Sequence, residues 1–152
     1  MPESSQETPL PDSFAEIVAD FHALEQRQRL ELLMEFSREL PPLPERYAQN
    51  HDAMEPVLEC QSPVFVIAEV GAGPDDEVSI FFDAPAEAPT TRGFAGILAA
   101  GLDGLTAQQV LDVPDDVPGR LGLTEAVSPL RLRGMAGMLA RIKRQVRAGL
   151  VS

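Results

Sequence analysis

Cysteine is all but missing from this sequence: Cys60 is the only one in 152 residues. A lone cysteine forms no disulfide within its own chain, supplies no CxxC redox pair, and cannot by itself ligate zinc or a conventional four-cysteine iron-sulfur cluster. Whatever chemistry Cys60 performs, it performs alone or with another chain, and no metal site is expected. Basic residues are also few, 12 Lys and Arg against 24 Asp and Glu, and a formal net charge of -12 excludes a protein whose affinity comes from neutralising phosphates. Nucleic acid is therefore not an expected partner. No run approaches the ~20 apolar residues of a membrane span, so a membrane is not expected either. The opening MPESSQETPLPDS is polar and acidic, unlike a secretion signal or an Arg-rich transit peptide, and the expected compartment is the cytoplasm.

What is present reads as one domain. Residues 1–11 carry Pro, Ser, Glu and Thr with little apolar content and read as a disordered leader, leaving 12–152 as a single folded unit. Ser13 and Glu16 have the spacing of a capping box, and Phe14, Ile17, Val18, Phe21 and Leu24 follow at helical intervals, renewed through Leu30, Leu33 and Met34 to Leu40. Pro41, Pro42 and Pro44 stop the helix. The period then changes. Val64–Val70 and Val78–Phe82 are β-rich runs joined by the turn-forming Gly71-Ala72-Gly73-Pro74-Asp75-Asp76, and Val57-Leu58 is expected to add a short third strand.

After Pro89 the helical period returns with Phe94, Ile97, Leu98, Gly101 and Leu102. Thr106 and Gln109 form a second capping box, opening a short helix that Val113-Pro114 closes. Ser128-Pro129 is a cap followed by proline at the first helical position, and Met135, Met138, Leu139, Ile142 and Val146 continue one stripe to the neighbourhood of Gly149. The fold class is α+β: a small antiparallel β-sheet packed on one face against several helices. Arg131, Arg133, Arg141, Lys143, Arg144 and Arg147 crowd the last segment, which reads either as a basic face for an acidic partner or, more simply, as a solvated helix surface.

Cys60 lies in the polar segment Glu59-Cys60-Gln61-Ser62-Pro63, immediately before a strand. At the pKa of a free thiol only about 3% is thiolate at pH 7, so a working nucleophile needs a cation, a hydrogen bond or a helix N-terminus nearby. Glu59 opposes ionisation. Composition alone leaves open the simpler alternative of a small buried hydrophobe. His51 raises the prospect of a cysteine hydrolase, but its spacing from Cys60 matches no hydrolase signature, and a solvated loop histidine is the better reading. His22 reads as a helix-face residue, and Met135 and Met138 as core.

Four segments in order carry a resemblance: Leu40-Pro41-Pro42-Leu43; Cys60-Gln61-Ser62 followed by Val64-Phe65-Val66; Ala86-Glu87-Ala88 leading to Thr91-Arg92-Gly93; and Ser128-Pro129-Leu130-Arg131 with Gly134 and Met138. Together they span most of residues 13–148, and the sequence resembles the SufE family of sulfur acceptors. The chain departs from the family pattern at Glu59, where glycine is common, at Phe65, where tryptophan often stands, at Glu87, usually aspartate, and at Arg133.

The resemblance implies a SufE/IscU-like fold and a cysteine-persulfide carrier. Such proteins take sulfur from a SufS-type cysteine desulfurase, stimulate that enzyme, and pass the sulfur toward an iron-sulfur scaffold protein. By this resemblance Cys60 is the persulfide acceptor and Arg131 the candidate cation near the sulfur or the partner. Gln61, Ser62 and Glu87 are candidates for loop support or partner contact. No cofactor is expected in this chain, since the pyridoxal phosphate belongs to the desulfurase. The carrier acts as co-substrate and activator, so it is an enzyme only in a loose sense, and its resting state is monomer or homodimer. A non-catalytic adaptor with a structural cysteine is the alternative.

Overall fold

The computed structural model describes residues 10–151, so most of the leader expected over 1–11 lies outside the described residues. Of its last two positions, Leu10 packs partly buried against the core, and the carbonyl of Pro11 accepts the Ala15 N–H at 2.8 Å.

Helix α1 (Asp12–His22) presents Phe14, Ile17 and Phe21 to the core. The expected capping box at its start does not form. The helix already begins at Asp12, and Ser13 Oγ instead donates to the carbonyl of Gly101 at 2.6 Å, tying α1 to a later helix. A tertiary acceptor has displaced the local one. Helix α2 (Gln26–Glu39) ends before the prolines, and α3 (Glu45–Ala48) is a single turn after them.

The sheet holds three antiparallel strands in the order β1 (Glu55–Pro56), β2 (Phe65–Glu69), β3 (Ser79–Asp83). The register pairs Pro56 with Phe65, and Phe65 with Asp83 through Glu69 with Ser79. The third strand thus lies two positions earlier than the expected Val57-Leu58. Val57 N–H donates to Val64 O at 2.9 Å and ends the ladder, after which Leu58–Cys60 coil into a turn of 3-10 helix. Cys60 therefore sits at the tip of the β1–β2 hairpin.

Helix α4 (Pro89–Leu102) runs through the centre and packs on α1, α2 and β3. Two short helices follow, α5 (Ala107–Asp112) with its Thr106–Gln109 capping box formed as expected, and α6 (Val117–Arg120). The long α7 (Pro129–Val151) packs on α4, on β2 and on the cysteine turn. Met135, Met138, Leu139, Ile142 and Val146 are all fully buried along it. The sheet turns one face to these helices, burying Val66 and Phe82, so the fold is α+β as expected. Gln145 of α7 completes the join: its Oε1 accepts the Ala68 N–H at 2.8 Å, a strand donor that the two-residue β1 does not reach. No helix among the described residues is long and apolar enough to cross a membrane.

Candidate functional site

Three backbone features shape the hairpin tip. Cys60 N–H donates to Val57 O at 3.1 Å, Gln61 N–H donates to Leu58 O at 3.3 Å, and Gln61 takes a left-handed conformation with φ of 60°. Gln61 is the one non-glycine residue with positive φ among those described. The left-handed residue of the turn is therefore Gln61, and Glu59, where the family commonly has glycine, lies within the 3-10 turn.

The tip rests on α7 at two glycines. A Cβ on Gly134 would lie 3.2 Å from Cys60 Sγ, and one on Gly137 only 2.8 Å from Glu59 Cδ. Helix-interior glycine is unfavourable on its own, and close approach of another segment is its usual reason. Cys60 Sγ donates a weak hydrogen bond to the carbonyl of Gly134 at 3.7 Å.

Beside the thiol opens a cavity of about 500 Å³. Its walls bring together the five residues that the resemblance put forward: Cys60, Gln61 and Ser62 from the hairpin, Glu87 from the segment before α4, and Arg131 from the first turn of α7. Leu130, Ala88 and Pro89 supply apolar lining, while Thr90, Thr91 and Ser128 make much of the rest polar. Arg92 braces this wall from behind, donating from Nε to Ser37 O at 2.9 Å and from Nη1 to Ala84 O at 2.5 Å.

The electrostatics agree with the sequence reading at Glu59 and add a cation to it. Cys60 is half-buried, and that burial, reinforced by the Glu59 carboxylate, pushes its thiol up to about 11. The cation whose charge pulls the other way is Arg141, which the sequence reading had placed only in the basic run. Arg141 Nη1 meets Glu59 Oε1 at 2.8 Å, and this guanidinium holds the Glu59 carboxyl below the usual carboxylate range. Gly137 and Arg141 are thus the two contributors to the site that sequence reasoning missed. The helical spacing from Gly134 to Gly137 to Arg141 puts them on one face, and a second interior glycine was the available signal.

The basic run is not the free face that its crowding implied. Arg141 and Arg144 pair with Glu55, and Lys143 is buried and paired with Asp115 at 2.8 Å. Arg131, Arg133 and Arg147 are exposed, as is Arg144 in its pair with Glu55. His51 pairs with Asp83 and stacks on Phe65 with ring centroids 4.5 Å apart, so its partner is a strand carboxylate. His22 Nε2 lies 2.7 Å from the carbonyl of Arg120, which makes it the donor there. Among the described residues no group of three or more His, Cys, Asp or Glu could hold a metal ion.

Comparison with known proteins agrees with this architecture. A solution structure of a hypothetical protein from Thermus thermophilus matches with a TM-score of 0.78 and 38% identity, covering 95% of this chain and all of that one. An uncharacterized SufE-like protein of Mycobacterium tuberculosis is 55% identical over 138 residues, which is 91% of this chain and 94% of the relative. The chloroplastic/mitochondrial SufE-like protein 1 of Arabidopsis thaliana is 28% identical over 137 residues, 90% of this chain and 35% of that longer protein. The family model described as SufE, Fe-S metabolism associated domain, matches residues 15–146, and the chain accordingly belongs to the SufE family.

Proposed function

We infer that this chain is a persulfide carrier: Cys60 accepts sulfur from a SufS-type cysteine desulfurase and takes it toward an iron-sulfur scaffold protein. The observation that carries this reading is the placement of the single cysteine at a hairpin tip, half-buried and opening on the cavity, in a chain of a family described by Fe-S metabolism.

In the transfer step the Cys60 thiolate attacks the outer sulfur of the partner's cysteine persulfide. A new S–S bond forms at Cys60, the partner's S–S bond breaks, and the partner's cysteine leaves as a thiolate that takes up a proton. One sulfane sulfur has moved between cysteines with no net oxidation. The lack of a second cysteine suits this chemistry, because a resolving thiol in the same chain would expel the sulfur as sulfide and close a disulfide. Removal of product sulfur stimulates the desulfurase, whose own pyridoxal phosphate generates it.

A thiol pushed up to about 11 is rarely ionised at neutral pH; thiolate is then on the order of one molecule in 10⁴ at pH 7. Reactivity must rise on docking. That same protonated resting state suits the other reading, an adaptor with a structural cysteine.

One experiment separates the two. The reduced protein is incubated with a SufS-type desulfurase and free cysteine, and intact and peptide masses are recorded without reductant. A gain of one sulfur atom on the Cys60 peptide, absent from Cys60→Ser, is the expected result. No gain with an active desulfurase from the same source, and full partner function in Cys60→Ser, would establish the adaptor instead.

A further inference from the structure

Glu59 stands where the family commonly carries glycine, and its surroundings are arranged around its charge. Its carboxylate receives Arg141 Nη1 at 2.8 Å. The absence of a side chain at Gly137 gives that carboxylate room, since a Cβ there would come within 2.8 Å of Glu59 Cδ. Arg141 is only 17% exposed, and Nε, on the same guanidinium, donates to Pro56 O at 3.0 Å. One guanidinium thus grips both the strand leading into the hairpin tip and the residue next to the thiol.

The two partners act on the sulfur with opposite signs. Arg141 favours the thiolate and Glu59 the thiol, so an intact pair leaves little net support for ionisation, and burial prevails. The other charges facing this region are Glu87 and Arg131 in the cavity wall, both exposed, and Glu55 on β1, which is 3.6 Å from Arg141 and already paired with Arg144. The Glu59 side chain is 44% exposed, so a cationic group arriving at the cavity can compete for it, whereas Arg141 stays behind on α7.

Building on the carrier reading, we propose that Glu59 and Arg141 form an electrostatic latch on Cys60: closed, it holds the hairpin tip on α7 with the thiol protonated; opened by a cationic side chain of the docking partner that takes Glu59, it leaves Arg141 as counterion of the thiolate. Arg141 is then a positioning residue at rest and a charge partner of the nucleophile in the complex. Sulfur is accepted only where a partner supplies that cation.

The isolated chain tests this without any partner. Its single cysteine lets alkylation by iodoacetamide be followed as intact mass against pH, for the wild type, Glu59→Gln, Arg141→Gln and the double variant, with folding checked by circular dichroism. Glu59→Gln raises the rate at pH 7 about tenfold, the change in thiolate fraction that follows a one-unit fall in thiol pKa. The double variant loses most of that gain. A Glu59→Gln profile equal to the wild type, or an undiminished gain in the double variant, overturns the latch. If the Arg141→Gln proteins do not fold, salt serves instead: at about 1 M salt, where screening acts over ~3 Å, the midpoint of the Glu59→Gln profile climbs. A midpoint indifferent to salt overturns the proposal. Because no desulfurase enters the assay, its failure leaves the carrier reading standing, whereas failed sulfur transfer removes the opening step by a sulfur donor and leaves only the closed pair at rest.

Discussion

On the carrier reading Cys60 meets two opposed demands, shelter while idle and ionisation when used, and the resting structure satisfies the first. Burial holds its proton more tightly in the fold than in the unfolded chain, raising the thiol from 9.0 to about 11. The folded state therefore binds more protons across that interval, and stability falls as pH rises through it. Below the ordinary thiol range both states are protonated and nothing is lost. The wild type should thus lose stability relative to Cys60→Ser between the ordinary thiol range and about 11, by about 1 kcal/mol once solvent screening of a partly exposed group is allowed for. Urea unfolding of both proteins at neutral pH and near the top of the window checks this. Tyr47, whose hydroxyl is also raised by burial, is common to both and cancels from the comparison. Equal pH dependence in the two proteins would mean that the thiol is not held protonated by the fold.

At the scale of elements, the contact between the hairpin tip and α7 depends on what glycine leaves out. Alanine at a helix-interior glycine ordinarily stabilises by about 1 kcal/mol. At Gly134 the added Cβ would stand 3.2 Å from Cys60 Sγ and 3.4 Å from its Cα, so the turn must move aside. Gly134→Ala should therefore leave the urea midpoint nearly unchanged, the two effects offsetting, while iodoacetamide modifies Cys60 several-fold faster. Gly96 supplies the contrast. A Cβ there would lie 2.2 Å from the backbone oxygen of Phe36, between two packed helices that cannot both give way; Gly96→Ala should cost about 1–3 kcal/mol or more.

These elements differ in how far they could be read beforehand. The buried stripe from Met135 to Val146 was legible because helical periodicity is local, and so was the Thr106–Gln109 box, whose partners are three residues apart. Ser13 misled because a distant carbonyl, that of Gly101, outcompeted its local partner. The early position of β1 followed from the turn at Leu58–Cys60, which carries no glycine to announce it. Gln61 holds the left-handed position instead, a residue type that rarely does. The Glu59–Arg141 pair was invisible for a different reason: it joins a hairpin to a helix far along the chain, and pair geometry of that kind exists only once both have folded.

For the whole molecule, the question is where a partner lands on a body carrying a net charge of -12. Single exposed apolar side chains are ordinary on protein surfaces, so position has to decide. Among the described residues the large exposed hydrophobics are Leu30, Leu58 and Leu130. Leu58 shares the turn with Cys60 and is 76% exposed, and Leu130 lines the cavity beside it; Leu30 lies on α2. Two of the three thus flank the thiol. On the carrier reading they form the apolar centre of the docking surface, with Glu59, Glu87 and Arg131 as its charged rim. Leu58→Ser should weaken binding to a SufS-type desulfurase about tenfold, the loss of an interface anchor worth roughly 1–2 kcal/mol. Its melting temperature should not change, since Leu58 buries little in the free chain, and Leu30→Ser should alter neither quantity. Titration calorimetry with each variant decides between the surfaces. Weakening by Leu30→Ser, or wild-type affinity in Leu58→Ser, would place the partner away from the mouth of the cavity, and Cys60 would then have to leave α7 to reach it.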